Sequence, residues 1–147
     1  MKPLEIKDKV HWVGAVDWDL RDFHGYSTEK GSTYNAYLVV DKKKVLFDTV
    51  KASKINDLVS NLKTIIDPST IDYIVVNHAE MDHSGSLPEI IKLDKPEKLF
   101  CTSKCRETLI EHFHDDTWPF AVVKEGDTID LGEKTVQFFD SKMLHWP

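Results

Sequence analysis

One segment limits the architecture more than any other. Between residues 53 and 66, Ile55, Leu58, Val59, Leu62, Ile65 and Ile66 recur at the spacing that gathers apolar side chains on one face of a helix. Asp67-Pro68 then stops the helix, because the residue before a proline disfavours helical dihedrals. Directly afterwards, Ile71-Asp72-Tyr73-Ile74-Val75-Val76 reads as a strand buried inside a sheet. A one-faced helix joined to a buried strand must pack helix on sheet, since either element alone leaves an apolar face in water.

Further strand-like runs lie at 10–16, 34–40, 45–47, 98–102, 121–123, 128–131 and 135–139, and helices are expected after the 84–88 loop and over 103–113. Turn signals at 41–44, Glu125-Gly126-Asp127 and Leu131-Gly132-Glu133 separate them. The mixture reads as α/β (α+β): early hairpins, strands alternating with helices, then hairpins again. No repeat, Gly/Ser linker or shift of composition marks a boundary, and 147 residues make one domain. With 41% hydrophobic and 30% charged residues, the chain is globular rather than disordered. A net charge of −6 argues against a nucleic-acid or anionic-membrane footprint. No apolar run approaches the ~18 residues of a spanning helix, the first residues lack a signal-peptide core, and two cysteines make no disulfide framework, so a cytoplasmic location is expected.

Chemistry concentrates in Asn77-His78-Ala79-Glu80-Met81-Asp82-His83-Ser84-Gly85-Ser86. Two histidines, a glutamate and an aspartate fall within six residues, where the buried strand empties into a loop. Loops at strand ends commonly hold ligands, because the sheet fixes their origin. Four metal-competent groups at this spacing can serve two adjacent ions, with alternate residues facing different sides of a turn. The bland reading is a solvated polar loop, and spacing alone leaves both open. A carboxylate-rich set without thiolates favours harder ions such as iron or manganese over zinc.

His78-x-Glu80-x-Asp82-His83 resembles the signature of the flavodiiron proteins, a branch of the metallo-β-lactamase superfamily. Zinc hydrolases of that superfamily carry a histidine where Glu80 stands. Arg21-Asp22-Phe23-His24-Gly25-Tyr26, Thr33-Tyr34-Asn35-Ala36-Tyr37-Leu38, Leu46-Phe47-Asp48-Thr49-Val50-Lys51 and Leu144-His145-Trp146-Pro147 resemble the same family in the same order, so the likeness covers essentially the whole chain. It implies a metallo-β-lactamase-like αββα sandwich and two iron ions. His78, Glu80 and His145 would ligate one iron, and Asp82 and His83 the other. His24 stands where the family keeps a histidine beside the iron pair, and a contact with bound oxygen or an ordinary loop role are both open for it.

The family continues beyond His-Trp-Pro with a bridging aspartate, a further histidine ligand, and a flavodoxin domain that binds FMN. The sequence stops at Pro147 and so carries at most five of the seven ligands. The resemblance therefore implies the N-terminal portion of a lactamase-like domain, inactive alone, with one sheet face awaiting a complementary C-terminal part. For the complete protein it implies reduction of dioxygen to water or of nitric oxide to nitrous oxide. Electrons would come from FMN and a rubredoxin-like donor, in a homodimer or tetramer. A flavin-free di-iron oxygen sensor is the alternative. A zinc hydrolase is a third reading, against which Glu80 argues.

Other candidates are weaker. His112 and His114 read as the end of a helix, where cationic histidine suits the negative dipole end. His11 reads as structural. Cys101 and Cys105 are spaced unlike a redox C-x-x-C pair and read as packed thiols, although Cys105 near a helix start would have a lowered pKa.

Overall fold

A computed structural model describes residues 2–141. A seven-stranded mixed sheet organises the chain. Its strands are β1 (Leu4–Lys7), β2 (Val10–Trp12), β7 (Tyr37–Val40), β8 (Lys44–Phe47), β9 (Tyr73–Val75), β10 (Lys98–Cys101) and β11 (Phe120–Val122), in that spatial order. Neighbours from β1 through β8 run antiparallel, and those from β8 through β11 run parallel. The change at β8 is where hairpin connections give way to helical crossovers: α1 (Ile55–Lys63) between β8 and β9, α2 (Met81–Ser84) and α3 (Leu87–Asp94) between β9 and β10, and α4 (Ser103–Phe113) between β10 and β11. Three small ribbons complete the fold: β3 (Ala15–Asp17) with β6 (Ser32–Tyr34), β4 (Asp22–Phe23) with β5 (Tyr26–Ser27), and β12 (Thr128–Asp130) with β13 (Thr135–Gln137).

The period-two alternation of strands sorts the core into two layers. Leu38, Leu46, Ile74 and Leu99 face one side, where they pack with Leu58 and Leu62 of α1, Ile90 of α3 and Leu109 of α4. Their chain neighbours Val39, Val45, Val75 and Phe100 face the other side and pack with Leu131, Ile129 and Val136 of the β12–β13 hairpin region. Asp41 clasps that hairpin by accepting from the backbone N–H groups of Glu133 and Lys134, at 3.0 and 2.8 Å. The helix-on-sheet half of the expected sandwich is thus present. On the second face, where the sequence reading expects a complementary part, the β12–β13 hairpin packs against Val39, Val45, Val75 and Phe100.

Two expected strands are each broken in two. The run at 10–16 splits into β2 and β3, and 34–40 into β6 and β7, so the same two chain segments pair first in the small ribbon and then in the main sheet. Gly14 sits at the break, where a Cβ would lie 2.1 Å from the Tyr34 carbonyl oxygen. Only glycine admits that approach. The helix ends at Lys63 rather than at 66, and a 3-10 turn over Pro68–Thr70 follows, with Asp67 accepting from the Ser69 N–H at 3.1 Å. Among the described residues no helix is long and apolar enough to cross a membrane.

Candidate metal centre

The motif begins where β9 ends, at the same sheet edge as the end of β8. Asp48 follows β8 in a left-handed conformation (φ 57°) and is buried. Its own N–H donates to the Val75 carbonyl at 2.8 Å, tying the two strand ends together. The motif is not wholly a loop, as its composition suggests. Met81–Ser84 forms one helical turn, with Glu80 as the residue before it. The turn is anchored from beneath. Ser84 Oγ donates to the Ala79 carbonyl at 2.7 Å, and Thr49 donates to the His83 carbonyl through both its N–H and its hydroxyl, each at 2.7 Å. Gly85 lets the chain press against the 51–52 segment, since a Cβ there would meet Met81 O at 2.4 Å and Ala52 N at 2.9 Å.

On this frame the four motif side chains form two pairs. His78 Nε2 lies 2.8 Å from Glu80 Oε2, and His83 Nε2 lies 3.4 Å from Asp82 Oδ2. The two imidazoles stand edge to face with centroids 5.2 Å apart, which brings the pairs side by side. His24 arrives from the β4–β5 turn with φ 53°, its ring 4.1 Å from that of Phe23 and its Nε2 3.9 Å from Glu80 Oε2. One ligand atom each from His24, Glu80 and Asp82 fits within 4.8 Å of the others. A cavity of about 440 Å³ opens here, lined by Phe23, His24, Lys51, Glu80, Asp82 and His112 among others.

Clustered carboxylates and imidazoles shift one another. His83 is held above the ordinary imidazole value, first by its hydrogen bond to Asp48 and then, against the cost of burial, by the charges of Asp48, Asp82 and Glu80. Behind the site, burial and a hydrogen bond to Asp17 push the Tyr34 phenol up to about 12, and the Asp82 charge adds to this. The donor set fits a pair of hard cations, because imidazoles and carboxylates converge there without a thiolate. Cys101 and Cys105 are free and buried in the helical layer. Cys105 is not lowered by the start of α4; its hydrogen bond with Cys101, and then burial, push it up.

His78, Glu80, Asp82, His83 and His24 are thus brought together, while His145 lies outside the described residues. His114 is the left-handed residue that ends α4, as the helix-end reading expects. His112 belongs to the same helix end, with Nδ1 donating to the Thr108 carbonyl at 3.2 Å, but it also faces the cavity. Sequence reasoning gave Asp48 and Lys51 no role. Both lie in the 46–51 segment that resembles the family, and Asp48 also stands as an acid at the end of an apolar run.

Comparison with known proteins agrees with this fold. The ODP family beta lactamase profile matches residues 33–147. Rubredoxin-oxygen oxidoreductase of Megalodesulfovibrio gigas is 49% identical over all of this chain and 37% of its own length. The anaerobic nitric oxide reductase flavorubredoxin of Salmonella typhi is 45% identical over 97% of this chain and 30% of its own. The crystal structure of the flavodiiron protein from Giardia intestinalis superposes with a TM-score of 0.94 at 34% identity, over all of this chain and 36% of that one. The chain thus spans about a third of the length of these relatives. On the strength of the profile, the sheet and the motif together, it belongs to the ODP β-lactamase-like family, and flavodiiron proteins are its relatives in sequence and fold.

Proposed function

We propose that this chain is the N-terminal portion of the di-iron domain of a flavodiiron oxidoreductase, which reduces dioxygen to water or nitric oxide to nitrous oxide. The observation that carries the reading is the convergence of His78, Glu80, Asp82 and His83 as two adjacent pairs beside an open cavity. His78 and Glu80 would hold one iron, with His145 as a further ligand, and Asp82 and His83 would hold the second. When bound, the irons supply the electrons and the binding site for a diatomic substrate. FMN and a rubredoxin-type donor would replenish those electrons from outside these residues, in keeping with the names of the relatives.

The chain's own side chains supply position and protection. Thr49 and Ser84 fix the turn that carries Asp82 and His83, so the two pairs keep their separation without help from the metals. His24 overhangs Glu80 from the cavity side, where an imidazole N–H can donate to a bound diatomic. Phe23 holds that ring by edge-to-face contact. The test is metal analysis of the complete protein, with anaerobic consumption of nitric oxide and consumption of dioxygen under reduced rubredoxin. Two irons per chain and turnover of either gas are expected. Zinc at the site, or iron without turnover of either gas, would overturn the reading.

A further inference from the structure

We infer that Asp48 is a positioning residue that fixes the ring of His83 in the tautomer whose Nε2 is free to hold a metal, an inference that rests on the di-iron reading above. Asp48 Oδ2 lies 3.3 Å from His83 Nδ1. The opposite ring nitrogen, Nε2, is the one that faces Asp82. A neutral imidazole carries one proton, so a ring that donates from Nδ1 presents a lone pair at Nε2, on the metal side.

The carboxylate is built to stay an acceptor at that place. The Asn77 backbone N–H donates to Oδ1 at 2.7 Å and the Asn77 side-chain amide donates to Oδ2 at 3.2 Å. The Asp48 N–H is bound to Val75, and the residue is held in a left-handed conformation that most side chains avoid. A strained, buried acid at the junction of two strand ends, aimed at the back of the His83 ring, is more than a solvated turn would require.

The isosteric substitution separates orientation from shape. In Asp48→Asn, the Asn77 backbone N–H keeps the new amide oxygen on its own side and so turns the new NH₂ toward His83. Nδ1 must then accept, the proton moves to Nε2, and the metal-side lone pair is lost. Asp48→Ala leaves the ring free to choose. Ferrous-iron affinity of the metal-free protein, measured anaerobically by chelator competition, should fall about 10–100-fold in Asp48→Asn, at least as far as in Asp48→Ala. The circular-dichroism melt of the metal-free Asn variant should stay near the parent's. Parent-like affinity in Asp48→Asn beside a loss in Asp48→Ala would mean that Asp48 acts through shape alone and would overturn the inference. If the parent takes up no iron, the di-iron reading fails by itself. In that case, or if the Asn variant does not fold, long-range ¹⁵N NMR of neutral His83 in the metal-free parent decides: a proton on Nδ1 supports the assignment, and one on Nε2 overturns it.

Discussion

The phenol of Tyr34 donates to Asp17 Oδ2 at 2.9 Å, both residues are buried, and Lys54 Nζ closes on the other carboxylate oxygen at 3.3 Å. This contact joins β3, β6 and the 3-10 turn Ala52–Lys54 that precedes α1, directly behind the candidate metal centre. Burial alone would raise Asp17, but the donors Tyr34 and Lys54 outweigh it and hold the carboxyl below its usual value. Tyr34→Phe removes one donor and leaves a buried carboxylate oxygen without that partner. Urea unfolding should show a loss of about 1–3 kcal/mol at neutral pH. An unchanged midpoint would mean that water replaces the phenol at no cost.

Asp94 has the opposite problem. Both of its carboxylate oxygens are buried with no hydrogen-bond partner among the described residues. It ends α3, where the helix dipole is negative, and burial followed by the charge of Asp67 raises its pKa from 3.8 to about 7. A folded-state pKa above the unfolded one gives a contribution that is whole below pH 3.8, shrinks as the pH rises, and is gone above about 7. Asp94→Asn cannot ionise. Its stability relative to the parent should therefore rise by up to about 1.4 kcal/mol per pH unit across that window and level off above it. Denaturant melts of both proteins at a series of pH values check this, and a constant difference would show that Asp94 ionises freely in the fold.

Much of this was legible in the sequence, for identifiable reasons. The apolar face of α1 and the buried β9 are local patterns, and the fold keeps both, although the helix closes at Lys63, one turn before Asp67-Pro68. The four motif residues lie close together in the chain, so any fold that ends a strand there gathers them. The break at Gly14 was not legible, because its cause is the carbonyl of Tyr34, a residue distant in sequence. Asp48 was also hidden. Its effect on His83 exists only because β8 and β9 are parallel neighbours whose ends meet. The approach of His24 to Glu80 follows likewise from ribbon packing rather than from spacing.

Gly85 couples the motif turn to the segment after β8. A methyl group at this position would press on the Met81 carbonyl and on the Ala52 nitrogen, both backbone atoms that no rotamer change can move. Gly85→Ala should cost about 1–3 kcal/mol. Because the displaced turn carries Asp82 and His83, iron content should fall together with the melting temperature. Full iron loading at a lowered melting temperature would show that the turn shifts as a rigid unit.

Glu80 is the residue that separates this motif from the zinc-hydrolase pattern, and its neighbours give the exchange a clear direction. Its carboxylate lies 2.8 Å from His78 Nε2 and 3.9 Å from His24 Nε2, so it stands between two imidazoles as an anionic donor. Glu80→His would leave three histidines there and remove one negative charge from the centre. Nitrogen-rich sites suit zinc, whereas carboxylates suit harder and more highly charged ions. When the metal-free variant is loaded from equal concentrations of ferrous iron and zinc, metal analysis should show the zinc-to-iron ratio rising about tenfold or more over the parent, a shift of about 1.4 kcal/mol in relative affinity. An unchanged ratio would place control of metal choice with Asp82 and the residues around His83, and would remove Glu80 as the reason for preferring iron here.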